Sequence, residues 1–387
     1  MKFLAAFVLS LAALNSLADV FVPGKATQIL TLAPDHGSFR VVWNDIDERV
    51  ALNDVRTVRL FPDGTPDPST ARTILHIPSL GFVAAGATSA GTFVLWTDEF
   101  QRLRFAPLEP DGSLSAGFTM IASSGFRARL ACNANRCAAI WRILPITVLS
   151  GAFRAQFFDR HGNRIGDIVT LPAGVSLSNA VLDDDGLFVV SDQRVSRVDE
   201  QGHVRFNLVF EPLAISASAA DDDGNGNTLF WIAGHELKTM HVGLDGTFSN
   251  VRTIIASNDV DVVNGLSVSF GNTIHLLAVA HGRFDPINGA PVDLELLRLD
   301  PSLNVVGRQS IYSSQSVPFS VSATGWNGSV FALGWAQSRN GPFSRPMGSQ
   351  VNIVATDGLI GATKMLDAAI GPPPSTPPIV RRRTTSH

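Results

Sequence analysis

The stretch GTFVLWTDEFQRLRFAPLEPDGSL, residues Gly91–Leu114, contains the pattern that decides the fold of this chain. It begins with an apolar run that ends near Trp96, crosses a polar break, continues as an alternating run and closes on an Asp-Gly turn. Runs rich in β-branched and aromatic residues between turn residues are typical of strands. The stretch therefore predicts two short strands with a turn after each.

The same pattern returns along the chain at a nearly constant interval. The glycine of the closing turn recurs from Gly64 to Gly358, with Ser302–Leu303 in the place of one glycine, and the mean step over six intervals is 49 residues. A fixed period of this size indicates a repeat architecture. The apolar runs of the seven units are FRVVW (39–43), FVLW (93–96), CAAIW (137–141), LFVV (187–190), TLFW (228–231), IHLLAVA (274–280) and VFALGW (330–335).

Each unit has about four short β-like runs separated by turn signals, and none has the 3.6-residue period of a helix. Four strands in a unit of about 40 to 50 residues correspond to one blade of a β-propeller. The second run of each unit is apolar at consecutive positions, as expected for a strand covered on both faces by neighbouring blades. The sequence therefore predicts an all-β fold, a single β-propeller of seven four-stranded blades, with six or eight blades as the alternatives.

The borders of the units follow from the turns. The segment KATQILTLAP at 25–34 resembles the fourth strands of the units, and we expect this leading strand to complete the last blade and close the ring. The prolines at 370–387 predict an extended, flexible tail. We place the β-propeller at 19–369, with blades near 33–78, 79–123, 124–172, 173–212, 213–257, 258–314 and 315–369.

The tryptophan that recurs in the second run has two interpretations. In so regular a position, a large apolar side chain is expected to fill the space between neighbouring blades. The alternative is an exposed platform on which a carbohydrate stacks. We favour the packing interpretation because the residue follows the period of the fold.

The first residues predict an export signal. Met1–Ala18 contains one cation, Lys2, then an apolar run, and then small residues at Ser16 and Ala18. The apolar run is shorter than the roughly 20 residues that a membrane-spanning helix requires, and no later stretch reaches that length. We therefore expect a chain without a transmembrane segment that is secreted, or periplasmic if the host has an outer membrane.

The charge of the chain argues against a nucleic-acid partner. The net charge is −4, which becomes −5 when Lys2 leaves with the signal, and the charges are spread along the chain. Nucleic-acid binding requires clustered lysine and arginine. We expect a protein or a glycan as the ligand instead.

The chain has two cysteines, Cys132 and Cys137, on either side of a short polar turn. In an exported chain, this arrangement predicts a disulfide that bridges a hairpin. The alternative is a metal site, which would need further thiols or a nearby pair of histidines, and the sequence around the cysteines has neither.

The repeat G-x-F-V-L-W with its following Asp-Gly turn resembles the degenerate propeller repeats of exported bacterial proteins with no assigned activity. The resemblance covers nearly all of the mature chain. The Gly-His/Trp-Asp signature of WD40 repeats and the double glycine of kelch repeats are absent. The segment LDGTF (244–248) approaches the sialidase Asp-box without its serine and second aspartate, so the resemblance implies a fold and no activity.

The turn DDDGNGN is the best candidate for a metal site. Asp221, Asp223 and Asn225 match the start of a calcium-binding loop, whose oxygens surround the ion. The positions that should complete the loop are Leu229 and Ile232, which have no oxygen ligand. We therefore predict no cofactor, with weak calcium binding at this turn as the alternative to an ordinary hairpin turn.

Loop length gives the best candidate for a binding site. The loops between the second and third strands are long in blades six, seven and one, and all such loops lie at one end of a propeller. Binding residues are common on loops of this kind. The predicted rim, as we call it, comprises Arg283, Phe284, Asp285, Arg339, Phe343, Arg345, Asp45 and Asp47. Neutral variation of surface loops is the alternative.

No intact catalytic motif is present. The segment GHELKTMH lacks the second histidine of a zinc protease motif, and GLSVS lacks the second glycine of a nucleophile elbow. We therefore expect an exported, non-catalytic binding protein that uses the predicted rim. The alternatives are a polysaccharide lyase or hydrolase with an active site at one mouth of the central channel, and a purely structural surface protein.

Overall fold

A computed structural model describes residues 25–47, 52–78, 81–142, 152–172, 177–191, 194–209, 218–222, 224–233, 236–256, 262–282, 292–314, 319–338 and 346–366. These residues form strands and turns, and none of them forms a helix that could cross a membrane.

The strands follow one another in groups of four. The first four groups are β1 (Lys25–Asp35), β2 (Ser38–Asp47), β3 (Leu52–Leu60) and β4 (Pro66–Pro78); β5 (Val83–Thr88), β6 (Gly91–Thr97), β7 (Leu103–Pro107) and β8 (Thr119–Ala122); β9 (Phe126–Cys132), β10 (Arg136–Arg142), β11 (Phe153–Asp159) and β12 (Arg164–Thr170); and β13 (Leu177–Asp183), β14 (Gly186–Ser191), β15 (Arg194–Val198) and β16 (Val204–Val209). The last three groups are β17 (Ser218–Asp222), β18 (Gly226–Ala233), β19 (Glu236–Gly243) and β20 (Arg252–Ala256); β21 (Val262–Phe270), β22 (His275–Gly282), β23 (Val292–Leu299) and β24 (Val305–Ser314); and β25 (Phe319–Trp326), β26 (Phe331–Ser338), β27 (Pro346–Val354) and β28 (Lys364–Met365).

Each group forms one four-stranded antiparallel sheet in sequence order, which makes seven sheets. The first strand of each sheet contacts the first strands of the two neighbouring sheets, and the last of them, β25, contacts β1. This circular order arranges the sheets as blades around a central channel. The prediction of a seven-bladed β-propeller is confirmed.

From its sequence, we expected the leading strand to complete the last blade. This prediction is wrong. The strand forms β1, the innermost strand of the first blade, and β28 supplies the fourth strand of the last blade. The turn after β1 explains the difference. His36 and Gly37 have φ angles of 48° and 78°, as in the two-residue turns that suit a hairpin, so β1 folds back on β2. Ring closure therefore depends on packing between blades and not on a shared blade.

The core consists of one apolar cluster at each junction between blades. The second strands of the blades supply its largest side chains, including Trp43, Trp141, Trp231 and Trp335, which are all buried. Trp43 packs between the first and last blades with Ala332 and Val351. The packing interpretation of the recurrent tryptophan is therefore confirmed for these residues.

The recurring turn glycine has a conformational reason. Gly112, between β7 and β8, has a φ angle of 88°, a left-handed conformation that glycine adopts without steric cost. The equivalent glycines of five other blades also have positive φ angles. In the sixth blade Leu303 occupies the position with a φ angle of 62°. The repeat thus conserves a backbone shape even where the residue differs.

Arginine side chains join the blades at their junctions. Arg40 of the first blade donates to the carbonyl oxygen of Pro110 in the second at 2.8 Å, and Arg298 of the sixth donates to that of Asp357 in the seventh. These two bonds satisfy carbonyl groups of turns between third and fourth strands. We call all arginines that donate a hydrogen bond to a neighbouring blade the junction arginines: Arg40, Arg136, Arg164, Arg197, Arg252 and Arg298.

The predicted disulfide is confirmed. Cys132 and Cys137 face each other on β9 and β10 and form a disulfide. The bond ties the innermost strand of the third blade to its neighbour at the end of their hairpin.

Candidate functional site

The predicted rim lies at one end of the ring. Its two longer loops connect β22 to β23 and β26 to β27, and we call the end that carries all loops between second and third strands the 2–3 end. Arg283, Phe284, Asp285, Arg339, Phe343 and Arg345 lie outside the described residues, so their binding role stays a prediction.

The structure places the two acidic rim residues in a strand. Asp45 lies in β2 opposite Asp54 of β3, its side chain is buried, and its Oδ2 lies 3.0 Å from Nε of Arg56 in an ion pair. Asp47 is the last residue of β2. The loop of the first blade is therefore shorter than its polar sequence indicated, because the polar residues continue the ladder. Polarity alone cannot distinguish such a strand end from a loop.

A pocket of about 550 Å³ opens at the central channel. The innermost strands of the first four blades line it, together with Phe153 at the start of β11. Phe153 lies opposite Arg142 and Leu177 opposite Ser191, which are the last residues of the second strands β10 and β14, so the pocket reaches the 2–3 end. Its lining comprises Ile29, Leu30, Phe82, Val83, Ala84, Ala85, Arg127, Ala128, Arg129, Leu130, Ala131, Phe153, Leu177, Asn179 and Ala180.

Two arginines, Arg127 and Arg129, provide the charge of this pocket. They lie two residues apart on β9, where the register with β10 shifts between Ile140 and Arg142. Such a β-bulge changes the direction in which a side chain points. Arg127 also has a φ angle of 51°, a conformation that is uncommon for residues other than glycine. The backbone is therefore irregular at the point where the charges enter the pocket.

The surroundings of the pair are electrostatically unfavourable. The pKa of Arg129 is lowered, first because the surrounding protein desolvates its guanidinium and second because Arg127 adds a like charge. Both side chains are nevertheless accessible to solvent, as expected on the wall of a concave pocket. Arginine stays charged despite such a shift. Within the described part of the chain, neither side chain forms an ion pair, and no carboxylate lines the pocket.

A second pocket, of about 380 Å³, lies between the fifth and sixth blades at the opposite end. Arg252 is among its lining residues, and it donates to the carbonyl oxygen of Ser302 and to Oδ1 of Asn304. The guanidinium of Arg252 therefore binds a turn of the next blade. The channel pocket differs because its arginines have no such partner among the described residues.

Sequence reasoning missed the arginine pair because single cations in a strand are common. The signal was nevertheless present in FRARLAC. Of the seven innermost strands, β9 is the one that contains arginine, and it contains two of them. Recognising this signal required knowing that β9 borders the channel, which depends on the closed ring.

The calcium candidate is described only in part. Asp221 lies within β17, opposite Thr228, and Asn225 is exposed in the turn that follows. Asp223 lies outside the described residues, so calcium binding stays a prediction. Elsewhere in the described ranges, no group of three His, Cys, Asp or Glu side chains is arranged to hold a metal ion.

No known protein family matches the chain, and no curated protein is detectably similar to it in sequence. Among solved structures, the acylaminoacyl peptidase of Pyrococcus horikoshii is similar with a TM-score of 0.50 and 10% identity over 88% of this chain and 52% of the peptidase chain. This chain thus spans about half the length of the peptidase. The Pan2 WD40 domain of Neurospora crassa (TM-score 0.41, 11% identity, 62% and 65% covered) and the hydrazine synthase of Kuenenia stuttgartiensis (0.47, 9%, 70% and 75%) are also similar. At 10% identity, the similarity to the peptidase indicates a common fold and says nothing about activity.

Proposed function

We propose that this protein is an exported, non-catalytic β-propeller that binds a partner at the 2–3 end of its ring. The observation that carries the proposal is the channel pocket, where Arg127 and Arg129 supply charge and twelve of the fifteen lining residues have apolar side chains. Ligand sites are commonly concave and combine apolar side chains with a few polar groups. The pocket is concave, and the free edges of its inner strands add backbone polar groups to the arginine pair.

Two further observations support parts of the proposal. The predicted rim belongs to the loops between second and third strands, and the channel pocket reaches the same end of the ring. The Cys132–Cys137 disulfide supports export, because disulfides persist in oxidising compartments. The export signal predicted at Met1–Ala18 agrees with it.

The proposal is tested by presenting the mature chain to arrays of glycans and peptides, with and without calcium. We expect capture of one class of ligand. A variant with alanine at Arg283, Phe284, Arg339 and Phe343 should lose capture with an unchanged melting temperature, because the prediction assigns these side chains to surface loops and not to the core.

The matched control carries alanine at Phe61 and Arg160, an exposed aromatic residue and an exposed arginine at the opposite end of the ring. It should capture ligand as the wild type does. Unchanged capture by the rim variant would contradict the use of the rim, and a wild type that captures nothing on any array would refute the proposed function.

The alternative, a polysaccharide lyase or hydrolase, makes a different prediction for the same experiment. A catalytic acid or base must lie within hydrogen-bond reach of the substrate. Chromatography of captured glycans would then show shortened or unsaturated sugars. Their appearance would replace the binding proposal with the enzyme.

A further inference from the structure

We propose that Arg127 and Arg129 bind a small organic oxyanion, a carboxylate or phosphate group carried on an apolar body. The inference rests on the proposed function, since it names the class of ligand that the channel pocket takes.

The positive charge of the pocket favours an anionic ligand. Each guanidinium presents five N–H donors in a planar fork that matches the oxygens of a carboxylate or a phosphate. The two residues are two positions apart on β9 and both line the pocket, so their long side chains reach one ligand group. Without a ligand, Arg127 and Arg129 repel each other in a partly desolvated site. A bound oxyanion replaces this repulsion with attraction.

The side chains that line the pocket favour an apolar body for the part of the ligand that carries the oxyanion. Twelve of the pocket's fifteen lining residues are Ala, Val, Leu, Ile or Phe. The inner strands are also sheet edges, so backbone N–H and C=O groups border the channel between these side chains. An aromatic or aliphatic body that contacts the apolar side chains removes their surface from water. The ligand class is therefore an organic acid, whose acid group is selected by the arginine pair.

The backbone at the pair supports a ligand site. A left-handed conformation at an arginine is strained, and strain of this kind concentrates at functional sites, where the surrounding structure maintains it. At Arg127 the strain coincides with a β-bulge and with the pocket charge. A purely structural position would be expected to hold glycine or asparagine there.

The experiment uses three probes that share one apolar body: 2-naphthoate, 2-naphthyl phosphate and the neutral ester methyl 2-naphthoate. Binding to the full mature chain is measured by titration calorimetry at low ionic strength. We expect one or both acids to bind and the ester to bind at least ten-fold more weakly, as is usual for loss of a charge-assisted hydrogen bond. The two acids show whether carboxylate or phosphate is preferred.

Variants assign the binding to the pair. Arg127→Gln and Arg129→Gln should each weaken acid binding by about ten-fold or more. Arg154→Gln is the matched control, because Arg154 is an exposed arginine of the same blade and is not among the residues that line the pocket. It should leave binding unchanged. Thermal unfolding of each variant without ligand checks that the fold is retained.

The inference is overturned if neither acid binds the wild type, if the ester binds as well as the acids, or if Arg127→Gln and Arg129→Gln bind the acids as the wild type does. These results are separable from failure of the proposed function. An array ligand that the wild type and both variants capture equally would refute the oxyanion site and leave the binding function intact.

Discussion

The junction arginines and the channel arginines differ in what surrounds them. Arg40 and Arg298 reach the next blade and donate to backbone carbonyl groups of its turns. Arg127 and Arg129 lie on the innermost strand, where the described part of the chain provides no acceptor for them. The same side chain therefore has two uses in one ring. An arginine that donates hydrogen bonds to the next blade holds the blades together, whereas pocket arginines without an acceptor among the described residues are available to a ligand.

The largest change in the free energy of unfolding is expected when a contact between two blades is removed. Nη1 of Arg197 lies 2.8 Å from Oδ1 of Asp183, and Nη2 donates to Oδ1 of Asn227 in the next blade at 2.6 Å, all in the buried interior. Desolvation already raises the pKa of Asp183. Arg197→Met would leave that carboxylate buried without its partner and should lower the free energy of unfolding by about 3 to 5 kcal/mol, as measured by urea denaturation.

Two further variants sharpen this test. Arg194→Met removes an exposed arginine from the same strand and should change stability by less than about 0.5 kcal/mol. Adding Asp183→Asn to Arg197→Met should recover part of the loss, because it removes the buried charge. Equal stability of the Arg197→Met and Arg194→Met variants would show that the junction arginine has no structural role.

In the channel, by contrast, we expect a substitution to raise the free energy of unfolding. Arg127→Gly should raise the free energy of unfolding by about 0.5 to 1 kcal/mol, because glycine adopts the positive φ angle of 51° without steric cost. Arg127→Gln keeps the strained backbone and should have the smaller effect, through loss of charge repulsion alone. Thermal unfolding without ligand compares the two. If Arg127→Gly lowers the free energy of unfolding instead, Arg127 has a structural role like that of the junction arginines.

The smallest effect per residue on the free energy of unfolding is expected at the turns between third and fourth strands. Hydrogen bonds from Thr65, Ser113, Thr247 and Asn304 lower the pKa values of Asp63, Asp111, Asp245 and Asp300 below the ordinary 3.8. A carboxyl group with a lowered pKa stabilises the fold fully above its unfolded value, and the contribution is lost as the pH falls below 3.8 through the folded value. Stability should therefore decline below about pH 4.

Urea denaturation of the wild type and of Asp111→Asn, measured between pH 7 and pH 3, checks this prediction. Asparagine keeps an acceptor oxygen for the turn but does not titrate in this range. The variant should lose less stability than the wild type on acidification. Identical pH profiles would show that this turn carboxylate does not contribute.

Much of the fold could be predicted because its signals are local. The period of the turns, the apolar second strands and the cysteine pair each depend on residues close together in the chain. The leading strand was assigned to the wrong blade because its composition resembles a fourth strand, whereas the positive φ angles of His36 and Gly37 fold it back on β2.

The site was harder to predict because its residues are brought together by ring closure. Asp45 was assigned to a loop on polarity, and the structure pairs it with Arg56 inside the ladder. Arg127 and Arg129 resembled any other cations of a strand until their strand was found beside the channel. Neither feature has a local signature.

The amino-acid sequence by itself determined the all-β class, the repeat and the covalent bridge, since turn chemistry and strand periodicity act over a few residues. Only the tertiary structure decided which arginines donate hydrogen bonds to a neighbouring blade. Arg40 and its acceptor Pro110 are 70 residues apart, and Arg197 and Asn227 are 30 apart. Whether a charged group finds a partner depends on such distant contacts, so a function that relies on unpartnered charge becomes visible only after the ring has closed.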